Sequence, residues 1–186
     1  MVFSLFSRVV NGVRGGVNAG LKGVTDISGA IINVVRITAV TTLKETGEFV
    51  GKGIEAAASI VSGAIGAVAD VGGTTVKAIK GIVQGTVSGV MESGGRRDEA
   101  VKGAVSQAIH SAKDLGLDIV ATAVEAVKGS VQAVATVGGD TVGATKDAVM
   151  AAIGAAETVG GNTADGVKEA LSTSVEGAKE IIDAIK

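Results

Sequence analysis

The chain has no cysteine, proline, tryptophan or tyrosine, and its aromatic residues are Phe3, Phe6 and Phe49 alone. Without cysteine there is neither a disulfide nor a thiolate metal site, and the redox compartment stays open. Without proline the strongest helix breaker is missing. His110 is the single histidine and reads as an exposed surface residue, and no Cys–His or Ser–His–Asp arrangement stands out. The carboxylates are spaced by a repeat, as a solvated face would be, and no titratable cluster marks a catalytic site. Scarce aromatics also exclude the base-stacking platform used on single-stranded nucleic acid.

Other absences concern membranes and cofactors. The longest run free of charge is Ala56–Ala69, 14 residues, too short to predict a membrane span. The N-terminus does not read as a secretory leader, so an intracellular protein is expected. Gly47-Glu48-Phe49-Val50-Gly51-Lys52-Gly53 resembles a phosphate loop but is one residue short and has glycine where serine or threonine is needed. No zinc, calcium or dinucleotide pattern occurs. The reading is of no enzyme, no cofactor, no metal, no nucleic-acid partner and no small-molecule substrate.

What the chain does contain is Gly, Ala and Val in a 22-residue repeat. Val71-Gly72-Gly73, Ser93-Gly94-Gly95, Leu115-Gly116-Leu117, Val137-Gly138-Gly139 and Val159-Gly160-Gly161 start at this interval, and the frame extends back to Phe49, Ile27 and Leu5. An internal period decides architecture before residue chemistry does. Numbering each unit from these residues, position 13 is Val17, Ala39, Val61, Val83, Val105, Val127, Val149 and Leu171. Position 17 is Leu21, Leu43, Ile65, Val87, Ile109, Val131, Ile153 and Val175. Positions 6, 9 and 20 are mostly aliphatic too, so the steps are those of a helix. Twice eleven residues, at about 3.67 per turn, keeps such a stripe nearly straight. The expected class is all-α, with long amphipathic helices.

Polar positions are ordered as well. Position 10 carries Arg14, Arg36, Lys80, Lys102, Lys146 and Lys168 at one edge of the stripe, while position 22 is largely acidic and lies opposite. Bases at an apolar edge can lay their stems on hydrocarbon, which is the layout of a helix in a lipid interface. The same layout fits a soluble bundle whose bases flank a protein core. The other edge is small, and Gly81, Gly85 and Gly89 stand four apart, a spacing that admits a neighbouring helix closely. This predicts self-association.

The Gly pairs allow two readings: turns between short helices stacked as a solenoid, or interior residues of a mostly continuous helix. The unbroken phase of the stripe favours the continuous helix. One break is expected at 93–99, where four charges follow two glycines. That gives a helical hairpin with arms 1–92 and 100–186. A weaker break is expected at Lys113–Asp118. The first 44 residues carry five bases against Asp26 alone, a basic, Phe-bearing start suited to an anionic surface or simply an exposed helix end.

The stretches Val76–Val90 and Val137–Val142 resemble the repeat region of perilipins and, more loosely, synucleins. The resemblance implies long helices on lipid droplets or vesicles, and the granule-coating phasins share that role. The acidic tyrosine-bearing tail of synucleins and the C-terminal bundle of perilipins have no counterpart here. The expectation is a non-enzymatic structural protein whose partners are itself and a lipid surface, placing it at the periphery of a membrane or lipid particle. Its alternative is a soluble filament, tube or ring that buries the stripe between subunits. A desiccation protectant would be more polar than a mean hydropathy of +0.47 indicates.

Overall fold

A computed structural model describes residues 2–23, 27–47, 52–73 and 76–185, with the side chains of 2–6 and 27–28 outside the description. All regular structure among the described residues is helical, as expected. The helices are α1 (Val2–Leu21), α2 (Ile27–Thr46), α3 (Gly53–Asp70), α4 (Val76–Glu92), α5 (Arg97–Asp114), α6 (Ile119–Thr136), α7 (Thr141–Val159), α8 (Thr163–Ser174) and α9 (Ala178–Asp183).

The helices are shorter than the stripe suggested, because the Gly pairs are turns and not helix interior. Gly72, Gly94, Gly116 and Gly138 have φ of +84°, +90°, +67° and +69°, which a right-handed helix cannot pass through. Each forms the two-bond C-terminal cap. After α3, Gly73 N–H donates to Val68 O and Gly72 N–H to Ala69 O, both at 3.1 Å. The same pair of bonds ends α4, α5 and α6. The next helix restarts in the same frame: α3, α5, α6, α7 and α8 all begin four residues after position 1. The stripe therefore keeps its phase across every turn. Unbroken phase does not require an unbroken helix, and the two long arms are each a series of short helices. The turn at 93–96 is one of that series and so is the one at 115–118. Helix starts are fixed by Asp118 and Asp140, whose carboxylates accept from Ala121 N–H at 3.0 Å and Gly143 N–H at 2.9 Å.

Each helix packs on its neighbour in sequence and on the next but one. α1 and α2 are antiparallel, since Gly12, Gly16 and Gly20 meet Thr42, Thr38 and Val34. Next-but-one helices are parallel: Gly81, Gly85 and Gly89 of α4 climb along Ile31, Ile32–Val35 and Arg36–Ala39 of α2. Two layers result, α1-α3-α5-α7 and α2-α4-α6-α8, with the short α9 returning against α7. This is a helical solenoid, in which each unit contacts only near neighbours. The core lies between the layers and is filled by Val and Ala, with Ile31, Leu43, Ile60, Ile79, Ile82, Ile109 and Leu171 among its largest fully buried side chains.

Three alanine substitutions separate the roles of glycine. Gly85→Ala would place its Cβ 2.6 Å from Ile32 O and should cost about 1–3 kcal/mol through overpacking. Gly116→Ala meets no atom within 4 Å but sits at φ +67°, so it should cost about 1–2 kcal/mol in backbone strain alone. Gly154→Ala, helical and in open space, should stabilise by about 0.5–1 kcal/mol. Urea unfolding of the three variants checks the order.

Candidate interaction surfaces

The aliphatic stripe is inside the chain. Every position-13 residue, Val17, Ala39, Val61, Val83, Val105, Val127, Val149 and Leu171, is 0% exposed. At position 17, Leu21, Leu43, Ile65, Val87, Ile109 and Ile153 are buried, and Val131 and Val175 are partly buried against the same core. In this fold the stripe is covered by the chain's own helices and not by a second subunit. Short helices can fold back on each other at every Gly turn, whereas long arms would have needed an outside cover.

The basic margin divides into paired and free residues. Arg14 of α1 donates to both carboxylate oxygens of Asp70 at the end of α3, at 2.8 and 2.7 Å, and Asn18 adds a bond of 3.3 Å. Arg36 of α2 reaches Glu92 at the end of α4, at 2.6 Å. Both pairs join position 10 to position 22 of the next-but-one unit, 56 residues on. The ladder stops where the repeat drops a charge. Ala58 stands opposite Asp114 in this register, and Lys80 and Lys102 would look to Thr136 and Thr158. Lys80, Lys102, Lys146 and Lys168 have no ion-pair partner among the described residues. Lys102 and Lys146 are exposed, and Lys80 and Lys168 are half-buried.

Gly81, Gly85 and Gly89 admit a neighbouring helix as predicted, and that neighbour is α2 of the same chain. Comparable contacts missed by reading that one stretch recur where Gly63 of α3 meets α1, Gly103 of α5 meets α3 and Gly129 of α6 meets α4. Of the Phe-bearing start, Phe49 lies outside the described residues, as do the side chains of Phe3 and Phe6.

The charge run at 96–99 does more than mark a turn. Arg96 precedes α5 and pairs with Asp98 at 2.8 Å. Arg97 splits its guanidinium between Asp140 and Asp147, 3.0 Å each, and so ties the start of α5 to the start of α7. Burial lowers the Arg97 pKa, but the hydrogen bonds and charges of its two aspartates outweigh this and raise it. The Asp140 carboxyl is lowered first by the Gly143 N–H it caps and then by Arg97.

A cleft of about 430 Å³ runs between α5 and α7, lined by Lys102, Ser106, His110, Met150 and Thr158 among others. His110 lies half-buried in it, with Nε2 2.8 Å from Thr158 Oγ1. Among the described residues no group of three or more His, Asp or Glu could hold a metal ion. No family model matches the chain, and neither the curated proteins nor the solved structures contain a match.

Among the described residues three carboxyls are held below their ordinary value. Asp70 is lowered first by the hydrogen bond from Arg14 and then by that from Asn18. For Asp98, burial acts upward but the bond and charge of Arg96 prevail. Asp140 is the third. A carboxyl that is more acidic when folded contributes stability that is complete above its unfolded value and lost as pH falls through its folded value. The melting temperature should therefore be insensitive to these groups from pH 7 to about pH 5, then fall below about pH 4. In Asp140→Asn the acid-side loss should shrink.

Proposed function

We propose that the chain is a non-enzymatic structural protein, a helical-repeat scaffold that assembles with further copies of itself. The observation that carries this reading is the openness of the stack. Among the described residues α1 touches only α2 and α3, and α9 only α7 and α8, so the two layers stop at each end without closing on one another. A solenoid buries apolar surface only between neighbouring units, and its terminal units leave a face without a neighbour. Large side chains stay exposed there, with Ile37 of α2 at 56% and Val142 of α7 at 78%. Because the stripe is already covered, assembly through the ends fits this fold better than assembly through the stripe.

A second reading, a coat on a lipid or other apolar surface, has its own support. The core is built of small side chains, and α3 is apolar enough by length and composition to cross a membrane while 61% of that window is buried in the fold. A stripe buried between helices in water would face hydrocarbon if the helices unstacked on a surface, with Lys80, Lys102 and Lys146 at its edge. The stack is then the form held away from lipid, and the protein is peripheral to a membrane or lipid particle.

Circular dichroism and sedimentation, with and without anionic vesicles, separate the two. The scaffold predicts full helicity in buffer and particles larger than the 18.1 kDa chain. The coat predicts flotation with vesicles that falls when Lys80, Lys102 and Lys146 are replaced by Glu. A chain that stays monomeric in buffer at every concentration and floats with vesicles would reverse the order of the two readings. Substrate turnover abolished by His110→Ala would overturn both.

A further inference from the structure

We infer that the two ends of the stack are complementary, so that the C-terminal end of one copy docks on the N-terminal end of the next and the helix layers continue across the junction. The inference rests on the self-assembly reading and names its interface. At the N-terminal end, α1 and α2 leave a cleft of about 490 Å³ on the side away from α3 and α4, and Arg8, Gly12, Ile37 and Thr41 line it. Gly12 is exposed, so a backbone can approach there closely. At the other end a cleft of about 530 Å³ lies between α7 and α9, lined by Val142, Glu176, Glu180 and Ile181.

That second cleft lies beside α9, a short helix. The helix has 6 residues where α1, α3, α5 and α7 have 18 to 20, so it covers only part of the α7 face that a full helix would cover. Val142 is left as the most exposed large apolar side chain among the described residues. Each end thus shows an aliphatic residue beside a cleft, in the positions where an interior unit of the stack has a neighbour.

Charge decides which end meets which. Residues 2–46 hold five bases and two acids, net +3, and residues 163–183 hold five acids and two bases, net −3. Part of the N-terminal charge is spent within the chain, in the pairs of Arg14 and Arg36. Arg8 is exposed in its cleft with no ion-pair partner among the described residues, although Glu45 lines the same cleft. Glu176 and Glu180 are exposed in theirs, likewise without an ion-pair partner among the described residues. Two like ends repel, and unlike ends attract over roughly a Debye length. A contact between different patches on identical copies is heterologous, so it propagates as an open filament or closes as a ring.

A charge-swap experiment on the full chain tests this. Analytical ultracentrifugation at low salt compares wild type with Arg8→Glu and with Glu176→Lys/Glu180→Lys, each checked for unchanged helicity by circular dichroism. Wild type should form species above 18.1 kDa that shrink as salt rises. Each variant alone carries two clefts of like charge, both acidic in Arg8→Glu and both basic in Glu176→Lys/Glu180→Lys, and should assemble at least tenfold more weakly. An equimolar mixture of the two variants should assemble again, because each junction then joins unlike ends. Ile37→Glu should weaken assembly and not be rescued by either partner. If wild type stays monomeric throughout, both this interface and the self-assembly reading fall. If wild type assembles and all the variants assemble equally well, the end-to-end interface falls while self-assembly stands.

Discussion

From α3 to α6 each helix approaches the parallel helix two before it so closely that it has no room for a Cβ at the contact. Gly63 of α3, Gly85 of α4, Gly103 of α5 and Gly129 of α6 face a backbone carbonyl of α1, α2, α3 and α4 directly. That constraint shapes everything else. It makes the layers dense without large side chains, which is why Val and Ala suffice for the core. It also brings Arg14 within reach of Asp70 and Arg36 within reach of Glu92. The glycines cost helix propensity, and the cost is offset by contacts that form only when neighbouring units are stacked. Stability in such a molecule belongs to the interfaces more than to any single helix.

The same glycine type does opposite work a few residues away. At Gly72, Gly94, Gly116 and Gly138 the missing Cβ permits a left-handed backbone and stops the helix in open solvent. Nothing in the residue type distinguishes a stop from a close contact, and only its place in the 22-residue unit does. This is why the turn glycines could be mistaken for helix interior while the stripe ran on in phase. Because the helices restart at the same point of the unit, a broken chain of short helices and a continuous one carry the same pattern of apolar residues.

The stripe, its basic margin and its small-residue margin were all legible as faces. What covered them was not. The aliphatic positions read equally well as a surface for lipid, for a second subunit or for the chain's own helices, since all three are apolar. Position 10 read as one edge of the stripe and position 22 as the face opposite the stripe. Their pairing across helices two units apart depends on the parallel offset between those helices, and no single-helix projection contains it. The repeating interval of 56 residues between unlike charges was the one signal available, and it survives in only two of the units.

The amino-acid sequence by itself determined an all-helical chain, the period of its units and which residues of each unit are apolar, because those follow from side-chain spacing along one helix. The tertiary structure decided that the glycines at the repeat junctions turn the chain, that the stripe is consumed internally and that, among the described residues, the outer faces of α1–α2 and of α7 stay uncovered. The physical reason is that burial is a relation between helices. It requires the left-handed glycines to fold the chain back and the Cβ-free glycines to let the returning helices close, and both conditions are properties of the packed molecule.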